Sequence, residues 1–124
     1  MKESLTFDFC SMTIYDNYVI TVINEGVVIT LEHNETLLKV AESYFSNKPF
    51  VYISNRINSY SVDPKVYFKT EQIPTIKGLA VVTNNYQVKV NAKIEKMFFN
   101  KPFEIFTELE DAVAWANEMT YHCN

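Results

Sequence analysis

The chain has 124 residues, of which 48% are hydrophobic and 21% charged, and it carries a formal net charge of −4. That length sets a single domain, residues 1–124, able to bury a core without disulfides or metal, and the composition excludes a disordered chain. The lysines are scattered singly with no basic stripe along the chain, which disfavours nucleic acid and anionic membranes as partners because a polyanion needs several neutralised charges together.

No apolar run approaches the ~18 residues of a membrane span. The start, MKESLTFDF, has no apolar signal-peptide core, so a cytoplasmic protein with reduced thiols at Cys10 and Cys123 is expected.

Residues 5–15, LTFDFCSMTIY, alternate as a strand. Leu5, Phe7 and Phe9 share one face and Cys10, Met12 and Ile14 the other, so a bulge or break is expected between Phe9 and Cys10. YVITVIN (18–24) is a second strand rich in β-branched residues. Only Asp16 and Asn17 separate the two, and both residue types tolerate positive φ, which is a hairpin signal. Tyr15 and Tyr18 bracket that turn.

Glu25-Gly26 breaks the strand. Thr30 or Asn34 can cap a helix running to about Ser46, with Leu37, Leu38, Ala41, Tyr44 and Phe45 as its apolar stripe. FVYIS (50–54) reads as a strand covered on both faces. Asp63-Pro64 has the form of an N-cap followed by proline at the first helical position, and that helix should end near Pro74. GLAVVT (78–83) is another buried strand. From about Asn85 to Phe99, Tyr86, Val90, Ile94, Met97 and Phe98 recur at helical spacing, as a core-facing stripe would. FEIF (103–106) is a last strand, and Thr107-x-x-Glu110 reads as a capping box for a helix bearing Leu109, Ala112, Val113, Ala116 and Met119. Trp115 should pack on the sheet or at its rim.

NKPF occurs at 47–50 and again at 100–103, each time where a helix hands over to a strand. Asn suits the left-handed position after a helix, and Pro prevents the helix from continuing.

The order is thus ββαβαβαβα, an α/β domain with a five-strand mixed sheet and about four helices. Right-handed crossovers bring the loops after the parallel strands to one edge, where open α/β sheets bind their ligands. Residues 24–26, 54–63 and 83–85 and Thr107 meet there. Residues 55–63, NRINSYSVD, are the polar exception in their neighbourhood. Arg56, the only arginine, is a planar cationic fork suited to carboxylate or phosphate. Asn55, Asn58, Ser59 and Ser61 offer donors, and Tyr60 can stack. The alternative is a loop that satisfies its own backbone, with Arg56 in a structural ion pair.

The element order, together with the runs KPFVYISNRINSYSVDPKVY, GLAVVT and KPFEIFTELEDAVAWA, resembles the SpoIIAA-like branch of the STAS superfamily, small bacterial α/β regulatory proteins. The resemblance covers nearly the whole chain. It implies a mixed sheet with packed helices and, in true antagonists, a phosphorylated serine after the central strand. Ser59 and Ser61 lie in that region, but the D-S-S-G-like turn of the family is absent here.

Catalytic signatures are few. His33 and His122 lack the spacing of a zinc site, Gly26 and Gly78 are the only glycines and form no phosphate-cradling loop, and there is no G-x-S-x-G elbow. A chain that is not an enzyme and needs no cofactor or metal is expected. The leading function is a regulatory or protein-interaction module acting through residues 55–63, by partner binding or as a homodimer. The alternative is a carrier of a small apolar or amphipathic, lipid-like acid, with Arg56 holding the head group. A carrier demands a cavity between sheet and helices near Arg56.

Overall fold

The computed structural model describes residues 3–121; His122 and Cys123 lie outside the described residues. Strands β1 (Glu3–Thr6), β2 (Cys10–Ile14) and β3 (Tyr18–Ile23) form an antiparallel meander. After them come β4 (Val28–Ile29), α1 (Leu31–Phe45), β5 (Phe50–Asn55), β6 (Ser61–Val62) and α2 (Val66–Thr70). The chain continues through β7 (Ile76–Val82), α3 (Tyr86–Lys96), β8 (Phe103–Phe106) and α4 (Leu109–Tyr121). The main sheet has six strands in the order β1-β2-β3-β5-β7-β8, and β4 and β6 make a separate two-stranded sheet. Pairing is parallel from β3 onward, as the alternation of strands and helices requires.

The sixth strand comes from the phase slip at Phe9–Cys10. The chain reverses there instead of bulging: the Phe7 N–H donates to the Cys10 carbonyl at 2.8 Å, and Leu5 lies opposite Met12. Residues 5–15 are therefore two paired strands. The turn at Asp16 and Asn17 closes β2 onto β3, with the Tyr15 N–H donating to Tyr18 at 2.9 Å. It does so without positive φ, which among the described residues only Gly26 adopts, at 79°. Asn47 and Asn100 consequently do not take the left-handed position expected after their helices. Asn100 instead hydrogen-bonds Glu71 through both its backbone and side-chain nitrogens.

Alternation along the strands assigns the two faces. Cys10, Met12, Val19, Ile23, Phe50, Leu79 and Val81 pack beneath the layer of α1, α2 and α3. Val51, Ile53, Ala80 and Val82 face α4. Gly78 lies under Trp115, where a Cβ would come within 2.6 Å of the indole. Trp115 also meets Phe106, ring centroids 5.8 Å apart, as its expected place on the sheet requires.

Thr30 caps α1, accepting from the His33 N–H, while the His33 ring accepts from the Thr30 N–H. Asn34, the other candidate cap, is buried and bonds Val66 and Thr70 at the far side of the layer. Asp63 and Pro64 form a turn before α2, with Asp63 accepting from the Lys65 N–H, and α2 stops at Thr70. Thr107 does not cap α4; its hydroxyl accepts from the Lys89 ammonium at 3.1 Å.

The largest departure from the sequence pattern is in α3. Its apolar stripe faces solvent: Tyr86, Ile94 and Met97 are exposed, and the residues it buries are Ala92 and Glu95. A polar group inside the layer holds the helix in this orientation.

Candidate functional site

Strand β5 ends on its inner face with Tyr52 and Ser54, and the two-residue period carries Arg56 inward as well. The Arg56 N–H extends the ladder by donating to Val82 at 2.9 Å. Its guanidinium enters the layer and meets Glu95 of α3 in a bidentate pair: Nη1 to Oε2 at 2.8 Å and Nη2 to Oε1 at 2.6 Å. The side chains of Arg56 and Glu95 are 5% and 9% exposed. Arg56 Nε donates to Ser54 Oγ at 3.1 Å, and Nη2 approaches the Tyr67 hydroxyl at 3.3 Å. The Tyr67 hydroxyl in turn donates to Glu95. Tyr60 lies with its ring centroid 5.2 Å from the guanidinium carbon and its hydroxyl 2.7 Å from Ser54 Oγ.

This arrangement is a satisfied buried network. Burial works against the charge of Arg56, but the hydrogen bonds it donates to Glu95, with the neighbouring Tyr60 and Tyr67, outweigh it and hold the group above its ordinary range. Burial pushes the hydroxyls of Tyr52, Tyr60 and Tyr67 up, so all three stay protonated and able to donate.

Behind the network lies a cavity of about 50 Å³ between the sheet and helices α1 and α2. Ile23, Leu37, Ala41, Phe50, Ile76 and Leu79 supply apolar wall, and Tyr52, Ser54, Arg56, Tyr60 and Tyr67 form its polar end. Outside the network, the carboxyl-edge loops converge as the topology demands. Asn55, Ile57, Asn58, Ser59, Thr83, Asn84 and Thr107 line one open polar cleft, and Arg56 lies between this cleft and the cavity.

The candidate site residues therefore divide. Arg56 and Tyr60 belong to the network. Asn55 ends β5 at the cleft. Asn58 is tied down, donating to the Ile23 carbonyl at 3.0 Å. The Ser59 backbone is held from both sides, by Glu25 at 3.0 Å and by the Gly26 N–H at 2.7 Å, while its side chain is exposed. Ser61 is an exposed residue of β6. Glu95, Tyr67 and Ser54 escaped sequence reasoning. The available signal was that Glu95 is the one acidic residue in α3. Among the described residues, no group of three or more His, Cys, Asp or Glu side chains is placed to hold a metal ion.

No family model and no curated protein matches this sequence. Similarity appears at the level of structure, to the crystal structure of an uncharacterised protein of the DUF3478 family with a SpoIIAA-like fold from Shewanella loihica PV-4. The TM-score is 0.57 at 14% identity, over 86% of this chain and 91% of the other. At that identity the likeness speaks for architecture, and it agrees with the strand order and helix layers described above: the chain has the SpoIIAA-like α/β fold.

Proposed function

We propose that this chain is a cytoplasmic, non-enzymatic binding module whose ligand is a small neutral amphipathic molecule held in the cavity between the sheet and helices α1 and α2. The observation that carries this is the joining of a mostly apolar cavity to convergent polar groups, Tyr52, Ser54, Arg56, Tyr60 and Tyr67 at one end and the mutually bonded Asn34 and Thr70 in the helix wall. Apolar wall with a few convergent polar groups is the usual chemistry of a small-molecule site. An anionic head group fits less well, because Arg56, the only cation lining the cavity, already has Glu95 as its counter-ion. The ligand's polar end is accordingly a hydroxyl or carbonyl meeting Tyr52, Ser54 or Tyr60. About 50 Å³ suits a molecule of two or three heavy atoms, such as a very short alcohol, far short of a lipid tail.

The test uses ethanol, 2-propanol and acetate as probes, read by thermal shift and by amide chemical-shift changes. The alcohols should protect the protein and shift resonances of α1 and β5, acetate less so, and Ala41→Val should abolish the effect by filling the wall. Absence of any shift, or an equal shift in Ala41→Val, overturns the proposal.

A second reading, an interaction module working through residues 55–63, draws on the exposure of Ile57, Ser59 and Ser61. Its anchor would be Ile57, since Arg56 is committed to Glu95. Capture of a defined partner that Ile57→Asn abolishes without loss of stability would support it; phosphorylation of Ser59 or Ser61 would be seen by intact mass.

A further inference from the structure

The outward stripe of α3 is unexplained by ligand binding. Tyr86 and Met97 are each 80% exposed and Ile94 is 52% exposed. With the half-buried Val90, they recur at intervals of four, four and three, which is one face of a helix. At ~1.5 Å per residue this makes a ridge roughly 16 Å long. Phe68 of α2 extends the ridge at its C-terminal end, 48% exposed and in ring contact with Phe98.

Charge gathers around the same ridge. Of the seven lysines in residues 65–101, three stand on α3 (Lys89, Lys93, Lys96) and two at α2 (Lys65, Lys69), against two acids, Glu71 and Glu95. Glu95 is buried with Arg56, and Glu71 accepts from Asn100. Lys89, Lys93 and Lys96 run along one flank of the ridge by helical spacing. Lys65 and Lys69, next to Phe68 in sequence, are exposed as well, Lys69 in a cleft that α2 makes with Leu38 and Glu42 of α1. Among the described residues, Lys65, Lys69, Lys93 and Lys96 have no carboxylate within ion-pair distance. The net negative charge of the chain therefore resides on its other surfaces.

We infer that this face docks on an anionic lipid surface. Apolar side chains enter the headgroup boundary while the lysines along the flank of α3 reach the lipid phosphates and carboxylates, the geometry of an interfacial helix. Tyr86 suits the boundary, with an apolar ring and a polar tip. Duplex nucleic acid would account for the lysines but not for the exposed Ile94 and Met97. This docking is independent of what the cavity holds.

Co-sedimentation with vesicles of phosphatidylcholine containing about a third phosphatidylserine tests it, with pure phosphatidylcholine as control. The full chain should bind the anionic vesicles, and binding should fall as salt rises. Lys93→Gln with Lys96→Gln should weaken it ~25-fold, at about 5-fold per lysine, with circular dichroism unchanged. Met97→Asp should abolish it. Equal binding to both vesicles, no binding, or an unaffected double variant overturns the inference. A concentration-dependent dimer in sedimentation velocity that Met97→Asp dissociates also overturns it, assigning the face to a second copy.

Discussion

Glu95 reaches Arg56 from the side of α3 opposite to its apolar stripe, and the two meet in a bidentate pair with both side chains under a tenth exposed. The helix thus buries its one acidic residue and leaves Tyr86, Ile94 and Met97 in water. Turning α3 by half a revolution would bury the stripe but strand a guanidinium inside the layer. An unpaired buried ion costs about 3–5 kcal/mol, and the space beneath the helix, which Ala92 fills at 0% exposed, would have to admit Ile94 and Met97. The pair acts as the device that sets the rotation of α3, a role best attested for buried polar groups that fix register.

Glu95→Ala should therefore destabilise the protein by about 3–5 kcal/mol, since it leaves Arg56 buried and unpaired. Arg56→Met combined with Glu95→Leu should recover most of that loss, because both charges go together. Urea unfolding of the single and double variants measures this. The double variant should also lower the exposure of α3's stripe, seen as slower oxidation of Met97.

Stability should fall at alkaline pH. Burial raises the Cys10 thiol from 9.0 to about 11 and lifts Tyr52, Tyr60 and Tyr67 above 10.0. These groups ionise more readily in the unfolded chain, which therefore releases protons first as pH rises. The stability that the neutral groups contribute is complete below pH 9.0, and its loss begins with Cys10 and continues as the phenols follow. Urea midpoints should be level from about pH 7 to 8.5 and decline above it. Cys10→Ala should remove the earliest part of the decline.

Gly78→Ala should destabilise the α4 face. The new Cβ would stand 2.6 Å from Trp115 Cη2 and 3.3 Å from the Pro102 carbonyl, so the indole must shift. Overpacking of this kind costs about 1–3 kcal/mol. Trp115 is the only tryptophan, so its emission maximum reports the displacement directly.

Thr30→Ala removes the side chain that caps α1 and should cost about 1 kcal/mol. His33→Ala should lose less, because the His33 N–H keeps Thr30 as its acceptor. Thermal midpoints of the two variants decide the order.

Much of the architecture was legible in the sequence by itself. The strand signals at 18–24, 78–83 and 103–106 and the period-3.6 stripes of the helices read to about Ser46 and after Thr107 reflect local backbone geometry, and alternation of the two kinds forces parallel pairing. The convergence of the polar loops at one edge follows from the handedness of crossovers. Tertiary structure decided what depends on distant partners. Residues 5–15 read as one strand because alternation cannot distinguish a bulge from a reversal. The inward side of α3 could not be read from its stripe, because Glu95 acquires its meaning only from Arg56, 39 residues away. Residues 55–63 showed that Arg56 needed an anion; only the tertiary placement of α3, which brings Glu95 onto Arg56, supplied that anion from within the chain.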